Sequence, residues 1–151
     1  MLVHNGPLMQ MQSSLQIARP AAEVFAVVSD FSRNPEWQSG MRSATWTSEP
    51  PVALGSTYEQ VARFLGRDVS TNFEVVAFEP GRSISIESRE SDFPIQVTRS
   101  VEPVDEHRCV VTADVSGEPG RFFGLLGPLL SRMAERSIRA DYRRLKELLE
   151  G

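Results

Sequence analysis

Scarcity is the first clue in this chain. It has one cysteine, Cys109, in 151 residues, so no internal disulfide can staple it, and that usage fits a reducing compartment. It has two histidines, His4 and His107. Neither has a partner at ligand spacing, which removes a zinc or haem site and a nucleophile–histidine triad. No apolar run approaches the roughly 18 residues that cross a bilayer. The N-terminus lacks the charged and apolar regions of a signal peptide. The expectation is a cytoplasmic protein without stable membrane insertion. Basic excess is also missing: the formal net charge is -4 and the pI near 5.2, which argues against a nucleic-acid partner. Gly117-Glu118-Pro119-Gly120 lacks the lysine and the spacing of a phosphate loop. No cofactor is implied.

What is present is ordinary in amount, 40% hydrophobic and 24% charged, and informative in order. Residues 1–10 have no period and contain Gly6-Pro7. They read as a disordered extension, with Met9 and Met11 as alternative starts, ahead of a single domain over 11–151. Alternation predicts a strand over 12–17. Pro20 suits a first helical turn, and 21–29 form a short helix burying Val24, Phe25, Val27 and Val28. Asp30 and Ser32 suit the cap of a second short helix, with Pro35 at its start. Strands follow over 41–48, 57–64, 68–78, 83–88, 93–104 and 108–115, joined by short turns such as Leu65-Gly66-Arg67 and Glu79-Pro80-Gly81-Arg82. Short turns imply antiparallel pairing, and alternation implies one wet and one covered face. From about Arg121 to Leu149 the chain reads as helical, a looser lead-in giving way to a regular helix near Pro128, with Leu126, Leu130, Met133, Ala134, Ile138, Tyr142, Leu145 and Leu149 as its apolar stripe. The fold class is α+β, a curved antiparallel sheet wrapped around the C-terminal helix, with two short helices after the first strand.

The runs Ala18-Arg19-Pro20-Ala21-Ala22-Glu23-Val24-Phe25, Val28-Ser29-Asp30 and Pro35-Glu36-Trp37, with Glu79-Pro80-Gly81-Arg82 and the long last helix, resemble the START-like (SRPBCC) superfamily, in its bacterial polyketide cyclase/dehydrase-like branch. The likeness covers nearly everything from residue 11 onward. It implies a helix-grip fold with a cavity between sheet and helix. Members of the superfamily include aromatic polyketide cyclases, lipid carriers, plant hormone receptors and ring-hydroxylase subunits. The matching residues mostly build the fold, so no catalytic role carries over residue by residue.

Arg99 is the most informative polar residue. Period two places it on the strand face of Ile95, Val97 and Val101, where a guanidinium needs a carboxylate or a ligand anion. The alternative is the sheet margin, with the side chain snorkelling to water. Trp37 reads as a wall at one end of the cavity, with one N–H to donate, or as core packing; Trp46 should lie further away. Tyr58, Phe73, Val97 and Met133 complete the expected lining. The faces taken by Tyr58, Glu59 and Arg63 stay open, because their strand does not alternate cleanly. Tyr142 reads as structural, at the closed end. Cys109 reads as a small buried hydrophobe. The arginines of the last helix, interleaved with Glu135, Asp141 and Glu147, read as a solvated face or as a basic face for acidic lipid headgroups. The segment 122–127 reads as a gate, a homodimer contact or plain core. Two functions are carried: a module holding an apolar aromatic, polyketide-like or acyl ligand, and a polyketide cyclase/aromatase or dehydratase using the same cavity. A protein–protein module with an incidental cavity is a third. The absence of an acid–base pair favours binding.

Overall fold

Alternating side chains build the sheet, and the places where alternation breaks shape it. The computed structural model describes residues 9–64, 66–89, 94–117 and 127–151. Its elements are β1 (Met9–Ile17), α1 (Ala21–Val28), a 3-10 helix (Phe31–Glu36), β2 (Met41–Trp46), β3 (Thr57–Phe64), β4 (Arg67–Glu79), β5 (Ser83–Arg89), β6 (Ile95–Asp105), β7 (Arg108–Gly117) and α2 (Gly127–Glu150). The seven strands form one antiparallel sheet in the order β1-β7-β6-β5-β4-β3-β2. It is a curled sheet holding a long C-terminal helix, the helix-grip fold expected from the sequence.

Cross-strand register explains the inward rows. Ile17 faces Cys109, Val101 faces Val111, Val97 faces Ile86, and Phe73 faces Tyr58. Burying these rows on one face supplies most of the fold's stabilisation, at about 25 cal/mol per Å² of apolar surface. In β4 the phase slips: Val75 pairs Ile86 and Ala77 pairs Ser85. Val76 is therefore an extra residue, a bulge that keeps Phe78 on the same face as Val75. At the β3–β4 turn, Gly66 takes φ 78°, a conformation that residues with a Cβ rarely adopt.

Several boundaries differ from those expected. β1 begins at Met9, where Met9 pairs Gly117, so pairing with β7 extends the strand beyond its visible alternation. Pro35 lies inside the 3-10 helix rather than at its start, and Asp30 is the cap, accepting from Ser32 N at 3.1 Å. β2 ends at Trp46 and β6 begins at Ile95.

α2 runs the same way as β1. Lys146 Nζ donates to Gln16 O at 2.8 Å, and further along Ala18 N donates to Glu150 Oε2 at 2.7 Å. Tyr142 and Leu145 are buried against the core, with Ile138 and Leu149 packed at its edge.

Candidate functional site

The site is built from the corner that α1 and the 3-10 helix make over the concave face. The 3-10 helix sends Phe31, Asn34 and Trp37 inward. Beneath them lie Tyr58 on β3, Phe73 on β4 and Arg99 on β6, with Tyr142 arriving from α2. Aromatic rings form a file: Phe73 stacks on Tyr58 at 5.2 Å, and Tyr58 on Phe31 at 5.2 Å. The Arg99 guanidinium comes next, 4.1 Å from the Phe31 ring centre and 4.7 Å from that of Trp37. Trp37 meets Tyr142 edge-on at 4.8 Å.

Arg99 is 2% exposed, which excludes the snorkelling alternative. β6 is an interior strand, between β7 and β5, and offers no margin. A buried guanidinium without a carboxylate is costly. Here the two ring faces offset part of the cost. Nη1 donates to Val28 O at 3.0 Å and to Asn34 Oδ1 at 2.9 Å; the Val28 carbonyl sits at the negative end of α1. Two N–H groups are left over. Arg99 Nε and Trp37 Nε1 are both buried without a hydrogen-bond partner. A buried donor without an acceptor costs about 1–3 kcal/mol, so a ligand oxygen placed here would gain from filling it.

Burial pushes the Tyr142 hydroxyl above the ordinary tyrosine range, opposed by the charge and hydrogen bonding of Arg99. Burial does the same to Tyr58, again opposed by Arg99. Both phenols are therefore neutral at physiological pH. Tyr58 Oη donates to Gln60 Oε1 at 3.1 Å. Burial also raises the Cys109 thiol, which fits the buried hydrophobe expected there rather than a nucleophile.

The structure brings together Trp37, Tyr58, Phe73 and Arg99 from the expected lining, with Val97 partly buried beside the core. It does not bring Met133, which is 52% exposed. Met133 lies nine residues before Tyr142, half a turn out of phase, and faces away from the sheet. Trp46 corrects another expectation. It belongs to the same cluster, 5.4 Å from Tyr58, and its Nε1 donates to Asp30 Oδ1 at 2.8 Å. Phe31 and Asn34 were not singled out in the sequence. Phe31 had a signal, an aromatic directly after the Asp30 cap; Asn34 had none. The expected gate or dimer segment, 122–127, falls almost wholly outside the described residues, which resume at Gly127.

Among the described residues, no three metal-binding side chains converge, and no helix is long and apolar enough to cross a membrane. A groove of about 440 Å³ lies along β1, β7 and β6, lined mostly by the wet-face side chains Gln10, Gln12, Gln96, Thr98, Asp114 and Ser116. Its chemistry is polar, unlike the aromatic cluster.

The family model described as "Polyketide cyclase / dehydrase and lipid transport" matches residues 9–150. The chain belongs to this family. Solved structures of the polyketide cyclase/dehydrase family's fold align over most of this chain. A START superfamily protein from Mycobacterium smegmatis is 16% identical with a TM-score of 0.78, covering 93% of this chain and 97% of that one. The Zhui aromatase/cyclase of a Streptomyces species is 15% identical with a TM-score of 0.76, covering 95% and 94%. The di-domain ARO/CYC StfQ of the steffimycin biosynthetic pathway is 15% identical with a TM-score of 0.72, covering 93% of this chain and 50% of that one. At these identities the likeness is one of fold. No curated protein matches the sequence.

Proposed function

We propose that this member of the polyketide cyclase/dehydrase family binds an apolar small molecule carrying an oxygen acceptor, held between the concave face of the sheet and α2. The observation that carries the reading is the pair of buried, unpartnered donors, Arg99 Nε and Trp37 Nε1, set in an aromatic wall of Phe31, Tyr58, Phe73 and Tyr142. Apolar walls with few, placed polar groups are what small-molecule sites are made of. Trp37, Tyr58, Phe73, Val97 and Arg99 are the lining residues, and an aromatic, polyketide-like or acyl ligand is the class that fits. The proposal needs no cofactor and places the protein in the cytoplasm, in keeping with its single, buried cysteine.

The test is titration with carboxylate-bearing and neutral aromatic ligands, followed by tryptophan fluorescence. Trp46→Phe is the background, because both tryptophans sit in the cluster. Micromolar binding, about 8 kcal/mol, is expected. Arg99→Met should weaken carboxylates by about 1–3 kcal/mol, the scale of a lost charged hydrogen bond, and spare neutral analogues. Equal loss for both, with the fold intact by circular dichroism, would make Arg99 structural. No saturable binding across a broad apolar set would overturn the proposal.

A second reading, a polyketide cyclase/aromatase or dehydratase, is supported by Arg99 lying beside the neutral Tyr142 phenol. That pair offers positive charge and a proton donor to a developing enolate. Incubation with a poly-β-keto thioester and detection of an aromatic product tests it. A rate equal to the uncatalysed one excludes it while leaving binding intact.

A further inference from the structure

α2 has a second face that the fold does not use. Leu129, Arg132, Met133, Arg136, Ala140 and Arg143 are all exposed, and at about 100° per residue they fall on one stripe. The stripe points away from Tyr142 and Leu145. Leu129 is 59% exposed and Met133 52%. No carboxylate interrupts the stripe before Glu147.

Six of the helix's other charges pair among themselves. Arg139 meets Glu135 at 2.6 Å, Arg144 meets Asp141 at 2.7 Å, and Lys146 meets Glu150 at 2.6 Å. Arg132, Arg136 and Arg143 form no ion pair with the described residues. A face that only solvates a helix mixes signs and avoids large apolar groups. This one separates them, leaving cations and bulky apolar side chains together over about 21 Å of helix at 1.5 Å per residue.

We propose that this stripe docks the protein reversibly onto an anionic lipid bilayer surface. Arginines meet the headgroups while Leu129 and Met133 enter the headgroup–acyl boundary. A nucleic acid also presents phosphates, but it gives Leu129 and Met133 nothing apolar to bury in. The proposal is independent of what the concave face binds.

The full chain is tested by cosedimentation with vesicles of mixed phosphatidylserine and phosphatidylcholine. Binding is expected in low salt, lost in molar salt and absent from pure phosphatidylcholine. Each arginine near such a surface is worth about fivefold in affinity. The triple change Arg132→Gln, Arg136→Gln, Arg143→Gln should therefore weaken binding about a hundredfold. Leu129→Ser with Met133→Ser should weaken it severalfold. The matched control is Leu54→Ser with Val104→Ser, since those residues are also exposed apolars but lie off the stripe; it should leave binding unchanged. All these sites are exposed, and circular dichroism verifies folding. Failure of the wild-type chain to bind, equal binding to the uncharged vesicles, or an unaffected triple variant would each overturn the proposal. So would concentration-dependent dimers abolished by the Leu129 and Met133 changes, which would make the stripe an interface between copies.

Discussion

The two halves of α2 are one helix under two regimes. In the second half nearly every turn is tied to the frame. Asp141 accepts from Ser39 N and Ser39 Oγ, both at 3.0 Å, and Arg144 Nε donates to Trp37 O at 3.1 Å. Lys146 and Glu150 hold β1 and the residue after it. In the first half, among the described residues, the ion pair is internal, Arg139 to Glu135, and two large apolar side chains face solvent. The same sequence period serves both halves. What differs, among the described residues, is how many hydrogen bonds from other elements meet it. The second half is therefore expected to contribute more to stability than the exposed side chains of the first.

Substitutions along the helix test that contrast. The largest effect is expected at Leu145, which is fully buried: Leu145→Ala should cost about 2–5 kcal/mol, read from urea unfolding. Asp141→Ala comes next, at about 1.5–3 kcal/mol for lost charged hydrogen bonds; Asp141→Asn should recover part of it by keeping an acceptor for Ser39. A subtler test uses pH. Tyr142 ionises near pH 10 when unfolded, and burial raises it in the fold. The unfolded state then releases its proton first, so this contribution is fully present below about pH 10 and falls as pH rises above it. Tyr142→Phe should flatten that alkaline decline in part, because Tyr58 contributes in the same direction. The smallest effect is expected at Leu129, where Leu129→Ala should change stability by no more than about 0.5 kcal/mol. A loss there comparable to that at Leu145 would erase the distinction between the halves.

How far the sequence reached follows the same division. The strand alternation placed Arg99 on the concave face, and register with Ile84 and Ala113 confirms the side. That Arg99 would be sandwiched between Phe31 and Trp37 was not legible, because the 3-10 helix folds over β6 from more than sixty residues away. Trp46 was misjudged for a similar reason. The cap residue Asp30 was visible, but its second task, accepting from Trp46 across the corner at 2.8 Å, leaves no local pattern. Met133 was misplaced by a stripe drawn too wide: 3.6 residues per turn carries it half a turn from Tyr142. Periodicity thus reported which face an element shows. It was silent on which partners cross over to meet that face.

The extra residue in β4 carries its own lesson. Val76 stands outside the pairing with β5, while Val75, Ala77 and Phe78 keep Ile86, Ser85 and Ile84 as neighbours. Deleting Val76 would leave each of those pairs available and remove only the bend. The local bend of β4 is therefore separable from the sheet's pairing code. An indel at that one codon would change the sheet's local curvature without rewriting a single strand partner.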